Sequence, residues 1–260
     1  MEVTERIHVV GRGSWGGQEP LSGEGDCNIF LIDGKTDLAL VDVGIGPHFG
    51  RVWANIRGAG LDPGKVTALL LTHTHRDHAG ALPGLRRRSR ATVFAHPLSA
   101  RAVRSLHPHL GAGPAAKALG PARARRRFHI DRTVQEGDRF RVGDLALQVL
   151  ELPGHTPECL GWLLTLKGKR FLFSGDAAIG DQGKTWGNIG WLDVHWGSDL
   201  RAYAQTLRRL SRMKFDGLLP GHGLPILGRA RVRRSLRHCR ERLERFRRFP
   251  QLGSMLPLSP

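Results

Sequence analysis

The stretch LLLTHTHRDHAGAL, Leu69 to Leu82, constrains this chain more than any other. An apolar run from Val66 to Thr72 is short enough to be a buried strand. It ends in a loop that carries His73, His75, Asp77 and His78 within six residues. In an extended or tightly looped segment, residues two apart point the same way. His73 and His75 can therefore converge on one ion, while Asp77 and His78 turn toward a second. Imidazole and carboxylate suit zinc, iron or manganese better than calcium or magnesium. Chance clustering of surface histidines is the competing explanation, and four candidate ligands at such close spacing argue against it.

The rest of the chain supplies more short strands and a few helices. Arg6 to Gly11, Asn28 to Asp33, Asp37 to Gly44 and Ala91 to His96 read as strands between Gly-rich turns. Val52, Trp53 and Ile56 have helical spacing within 47–60. Segment 97–130 is rich in Ala, Arg, Gly and Pro and reads as a short helical insertion. Beyond it, FRVGDLALQVLELPGH gives two strands, and LGWLLTLKGKRFLFSGD gives a hairpin that turns at Lys167-Gly168-Lys169. Asp199 to Met213 is an amphipathic helix with Leu200, Tyr203, Leu207 and Leu210 as its apolar stripe. GLLPGHG follows as a buried strand and loop, and a basic helix spans roughly 228–249. Strands alternating with helices, with no linker-like segment, indicate one α/β sandwich with its helices outside. The expected organisation is a domain over 1–228, a basic helix over 229–249 packed on it, and a loose tail over 250–260.

Composition narrows the setting. The chain has 260 residues, of which 40% are hydrophobic, enough for a substantial core. Three widely separated cysteines, Cys27, Cys159 and Cys239, argue against a disulfide framework. The N-terminus does not read as a signal peptide, and no apolar stretch approaches the roughly 20 residues of a membrane span. A cytoplasmic protein is expected. The formal net charge of +17 can signal anionic partners, or merely an arginine-biased composition. In the basic helix, Glu241 with Arg245 and Glu244 with Arg248 fall at i,i+4 spacing, as on a self-paired, solvated face. Tight nucleic-acid binding is therefore not expected.

Later motifs complete the pattern. PGHTPE carries His155, FSGD carries Asp176 at a strand end, and LPGHG carries His222, each after a strand-like run. Together with THTHRDH, these four motifs in this order resemble the metallo-β-lactamase-fold hydrolases over most of the chain. The resemblance implies a four-layer αββα sandwich. It also implies that His73, His75 and His155 hold one metal ion, that Asp77, His78 and His222 hold a second, and that Asp176 bridges them. Two divalent ions about 3.5–4 Å apart can make a bridging hydroxide at neutral pH and polarise an electrophile. Zinc is expected first, with iron or manganese as alternatives. Asp77 and Asp176 are the expected catalytic carboxylates. On this reading the apolar strand is rigid scaffolding and the cluster is the metal loop it positions.

The resemblance implies a dinuclear hydrolase of a small anionic ester or thioester, of glyoxalase II type or a relative. The expected partner is a small-molecule substrate, with no specific nucleic acid, no membrane and a homodimer left open. Trp186, Trp191, His195 and Trp196 follow Asp176, where the family usually places substrate-contacting loops. They are candidate pocket residues, as is Trp15 in a Gly-rich loop, with core packing as the alternative for the tryptophans. Cys159 is expected to be a buried, inert thiol. A true β-lactamase is disfavoured by Asp176, and a lactonase by the absence of a tyrosine shortly after it. Two other chemistries stay open. One is a persulfide dioxygenase-like enzyme with a single iron on His73, His155 and Asp176. The other is a metal-dependent nuclease or phosphodiesterase.

Overall fold

Successive residues of a strand face opposite sides, so a run such as IFLI can feed two cores at once. The computed structural model, which describes residues 1–15, 18–46, 48–85, 89–105, 128–180, 187–193 and 197–248, shows this along Ile29–Asp33. Phe30 and Ile32 enter a layer between two sheets, whereas Ile29 and Leu31 pack outward.

The first sheet joins β1 (Glu2–Thr4), β2 (Ile7–Gly11), β3 (Ile29–Asp33), β4 (Leu38–Val41), β5 (Val66–Leu70), β6 (Thr92–Ala95) and β7 (Arg132–Thr133) in sequence order. Its early strands are antiparallel, and β4 to β7 run parallel. Its outer face packs on α1 (Phe49–Gly58) through Val52 and Ile56. Short helices α2 (Arg76–Ala79) and α3 (Leu82–Leu85) follow β5, and α4 (Pro97–Ser105) follows β6. The remainder of the expected 97–130 insertion up to residue 127 lies outside the described residues.

The second sheet is built from β8 (Arg139–Val142), β9 (Leu145–Glu151), β10 (Leu160–Leu166) and β11 (Lys169–Gly175). Beside β11 lie β14 (Gly217–Pro220) and then β15 (Ile226–Leu227), and a small ribbon pairs β12 (Ile179–Gly180) with β13 (Gly187–Asn188). Leu147, Val149, Trp162 and Phe173 of this sheet meet Phe30, Val41 and Leu70 of the first. On the outer face, Leu163, Leu172 and Leu218 meet Tyr203, Leu207 and Leu210 of α5 (Leu200–Arg212) and Leu236 and Leu243 of α6 (Arg229–Arg248). The layers are helix, sheet, sheet, helix, as the sequence implied. Asp199 caps α5 by accepting from the amides of Arg201 and Ala202.

Strand direction then sets the place of the site. Strands β9 and β11 are both antiparallel to β10, and β14 is parallel to β11, so all three end at one edge of the second sheet. The residues just beyond those ends include His155, Asp176 and His222. Burial is complete along β14 and covers the last five residues of β11, whereas β9 alternates buried and more open positions.

Two expectations about α6 are corrected. Glu244 pairs with Arg247, three residues on, at 3.1 Å, and with Arg208 of α5 at 3.7 Å. Neither expected i,i+4 pair forms, because positions three and four apart compete on one helix face and α5 presents another cation. Among the described residues no helix is long and apolar enough to cross a membrane.

Candidate metal centre

The centre begins where β5 stops. Thr72 is locked by Asp42, whose Oδ1 accepts from the Thr72 amide and whose Oδ2 accepts from Thr72 Oγ1, both at 2.8 Å. Asp42 holds a left-handed backbone, φ 58°, a conformation costly for a residue with a Cβ. Asp42 Oδ2 also lies 2.8 Å from His78 Nδ1, and Thr72 Oγ1 lies 3.0 Å from His73 Nδ1. His155 Nδ1 donates to the carbonyl of Trp191 at 2.6 Å. These partners assign the proton of each ring to Nδ1, which leaves the Nε2 lone pairs of His73, His78 and His155 to face the centre.

His75 presents its other nitrogen. Its Nδ1 lies 3.1 Å from His73 Nε2 and 3.0 Å from His155 Nε2. Tetrahedral zinc with bonds of about 2.0–2.1 Å requires its nitrogens roughly 3.3 Å apart, close to this spacing. After His75 the chain turns into α2, and this single turn of helix swings Asp77 and His78 toward a second group with His222. Asp77 Oδ2 is 3.0 Å from His222 Nε2 and 3.5 Å from His78 Nε2.

Asp176 reaches both groups. Its Oδ1 is 3.4 Å from His78 Nε2, and its Oδ2 is 3.6 Å from both His155 Nε2 and His222 Nε2. His78 Nε2 and Asp176 Oδ1 are buried and make no hydrogen bond. Unbonded buried donors and acceptors are costly, and a cation between them would satisfy both. The residues therefore fit two divalent ions, one held by His73, His75 and His155 and the other by Asp77, His78 and His222, with Asp176 shared.

Supports from distant parts of the chain keep these ligands in place. Tyr203 Oη donates to the carbonyl of Asp176 at 2.8 Å and accepts from the Gly190 amide at 2.9 Å. Asn28 Nδ2 bridges the carbonyls of Pro220 and Gly223 at 2.9 and 2.7 Å, straddling His222. Sequence reading missed Asp42, Thr72 and Asn28 in this role, and it took Tyr203 only as a core residue. Gly221 is required by closeness: a Cβ there would collide with Asp176 Oδ1 and stand 2.7 Å from His78 Cε1. Gly221→Ala is therefore expected to weaken the second ion about ten- to a hundredfold while the first stays bound. Metal analysis after exhaustive desalting checks this.

The two groups differ electrostatically. Burial, then the neighbouring imidazoles, holds His73 well below the ordinary histidine value and His75 at about 3. Burial also lowers His155, against the pull of Asp176. Burial works to lower His78 as well, but the surrounding charges outweigh it and hold His78 well above that value. The nearby Cys27 thiol, pushed up to about 12 by burial, stays protonated, so the carboxylates Asp77, Asp176 and Asp42 are what raise His78. His222 is raised against burial by Asp176 and Asp77. Both carboxylates are held low by these histidines despite burial.

Other candidates separate clearly. Trp15 rests on the second group, its ring centroid 4.9 Å from that of His222 and tilted by 42°. Trp191 is 50% exposed, which removes the core-packing alternative for it. Trp186, His195 and Trp196 lie outside the described residues. Cys159 is buried 3.1 Å from Thr156 Oγ1, its thiol pushed up by burial, and it belongs to neither ligand triad. His96 Nδ1 accepts from the Leu98 amide at the start of α4, a capping use.

A four-layer αββα sandwich with groups of histidines and carboxylates at one sheet edge that could hold metal ions points to a class of metal-dependent proteins. Residues 22–222 match the model of the Metallo-beta-lactamase superfamily, and the chain belongs to that family. A hydroxyacylglutathione hydrolase of Rhodopseudomonas palustris is 34% identical over 112 residues, covering 43% of this chain and 34% of that protein. An acyl-coenzyme A thioesterase of Bos taurus is 29% identical over 216 residues, 75% of this chain and 72% of that one. A Cronobacter sakazakii metallo-β-lactamase with a HARLDQ motif superposes with a TM-score of 0.70 at 17% identity, over 98% of this chain and 98% of that one. The chain spans about a third to a half of the length of the first hydroxyacylglutathione hydrolases it matches.

Proposed function

We propose that this chain hydrolyses thioesters at a centre of two divalent ions, zinc or a metal of similar ligand preference. The observation that carries the reading is Asp176, whose two oxygens reach both triads. Thioester substrates are supported by the relatives, which include a hydroxyacylglutathione hydrolase and an acyl-coenzyme A thioesterase. When bound, the ions supply a nucleophile from water at neutral pH and Lewis-acid polarisation of a carbonyl. Water oxygen adds to the thioester carbon, the carbon–sulfur bond breaks, and an acid and a thiol leave.

The chain's own groups prepare this chemistry. Asp42 and Thr72 hold two imidazoles in the ligating tautomer, and Trp191 does the same for His155 through its carbonyl. Asp77 is the more open carboxylate, with its side chain 30% exposed against 8% for Asp176. It is an anion at neutral pH and offers an acceptor that can hold a water hydrogen facing the substrate. Trp15 forms a wall beside His222, and its indole N–H makes no hydrogen bond among the described residues. Trp15→Ala is expected to raise KM about fivefold, roughly the loss of 1 kcal/mol of aromatic contact, with metal content unchanged. Steady-state kinetics with metal analysis check it.

The whole reading is tested by loading the purified protein with zinc, manganese or iron. A panel of glutathione and coenzyme A thioesters, lactones and phosphodiesters is then assayed. Two bound ions and thioester turnover are expected. A single iron with oxygen uptake on a persulfide, or phosphodiester cleavage in preference to thioesters, would replace it.

A further inference from the structure

Glu158 lies three residues after His155, in the loop between β9 and β10, and its side chain is completely buried. A buried carboxylate is costly unless it is paired or hydrogen-bonded. Among the described residues Glu158 has no ion pair, and its side chain bonds one residue only. Oε1 accepts from Thr74 Oγ1 at 3.0 Å and from the Thr74 amide, at the long limit, at 3.4 Å. Oε2 makes no hydrogen bond.

The identity of that one partner matters. Thr74 stands between His73 and His75, and Glu158 shares a loop with His155. One carboxylate therefore ties together the two segments that supply the first triad. The strands behind them are already joined by the Leu160 amide on the Thr72 carbonyl, at 2.7 Å, and by Trp162 Nε1 on the Leu71 carbonyl, at 3.2 Å. Those bonds stop at Thr72, before the first ligand. Beyond it, the Glu158–Thr74 contact spans the gap between the His73–His75 turn and the loop that bears His155.

We infer that Glu158 is a positioning residue, clamping Thr74 so that His73 and His75 meet His155 at ligating distance. The inference rests on the reading of that triad as a metal site. It assigns the carboxylate a geometric task, so an uncharged acceptor of the same shape should perform it. Thr74 and Glu158 should also be energetically coupled, as residues in direct contact are.

The test is cobalt(II) titration of the metal-freed protein, read by visible absorption and by competition with a chelator. It is applied to Glu158→Ala, Glu158→Gln, Thr74→Val and the Glu158→Ala/Thr74→Val pair. Glu158→Ala and Thr74→Val are each expected to weaken the first ion about ten- to a hundredfold. The double variant should lose less than the two single losses combined, Glu158→Gln should stay near wild type, and the second ion should change far less. Thermal unfolding of the metal-free forms identifies any variant that fails to fold. Should Glu158→Ala fail in that way, Thr74→Val and Glu158→Gln still decide the matter. A Thr74→Val protein with wild-type cobalt affinity, or a Glu158→Gln protein with the first ion weakened as much as the valine variant, overturns the clamp. A wild-type protein that takes up no cobalt removes the metal-centre reading beneath it.

Discussion

Replacing Asp176 by alanine is expected to lower thioester turnover about a hundred- to a thousandfold, the scale for losing one preorganised electrostatic contact at a reacting centre. The argument is geometric. Among the described residues, Asp176 is the one side chain whose oxygens lie within 3.4 to 3.6 Å of nitrogens from both triads. Its removal leaves two groups of ligands with no shared anion among the described residues, and the second ion loses one of its ligands. Metal content should fall from two ions toward one. The fold should survive, because the Asp176 carboxylate takes no part in the strand pairing of β11 with β10 and β14. Asp176→Asn is the stricter test, since it keeps the shape and removes the charge. Wild-type turnover with two bound ions in either variant would sink the shared-carboxylate assignment.

The seven residues of the proposed metal centre were legible in the sequence because each sits in a short contiguous motif after a strand-like run. Apolar runs between turns also gave the longer strands and an α/β sandwich with helices outside, while the four layers were implied by the family resemblance. What stayed hidden depends on distance along the chain. Asp42 follows β4 and looks like any strand-end aspartate, yet it lies against His78, 36 residues away. Tyr203 was read as part of an apolar stripe, and its ring does pack in the core; its hydroxyl, however, bonds the backbone of Asp176. Glu158 gave no signal at all, since a glutamate beside a turn is usually solvated. Helix α2 was missed because four residues cannot show a helical period, although it is the turn that separates His75 from His78. The ion pairs of α6 went wrong for a related reason, as the cation on α5 cannot be seen from spacing within one helix.

Acidification is expected to empty the second site while the first remains filled, and the sign follows from the two groups of histidines. A ligating imidazole must be neutral, so a metal ion competes with protons wherever the free site holds them. His73, His75 and His155 are all held below the ordinary histidine value, His75 at about 3. They are neutral at pH 7 and resist protonation as the pH falls, so the first ion displaces fewer protons there than the second. His78 and His222 are raised by the carboxylates around them. In the metal-free protein they carry protons at pH values where the first triad has lost its own. Loading the second ion must expel those protons, which costs about tenfold in apparent affinity per pH unit for each proton displaced. With two such histidines, the second-site affinity should fall about a hundredfold for each unit of pH below their raised values. The carboxylates do not reverse this, because Asp77 and Asp176 are both held low and stay ionised over the same interval. Turnover should track the second ion, falling with acid before the first ion leaves. Calorimetric titration at pH 7.5 and pH 5.5, in paired buffers of different ionisation enthalpy, measures both the affinities and the protons released. Loss of both ions together, or proton release on filling the first site alone, would reverse the assignment of the two triads.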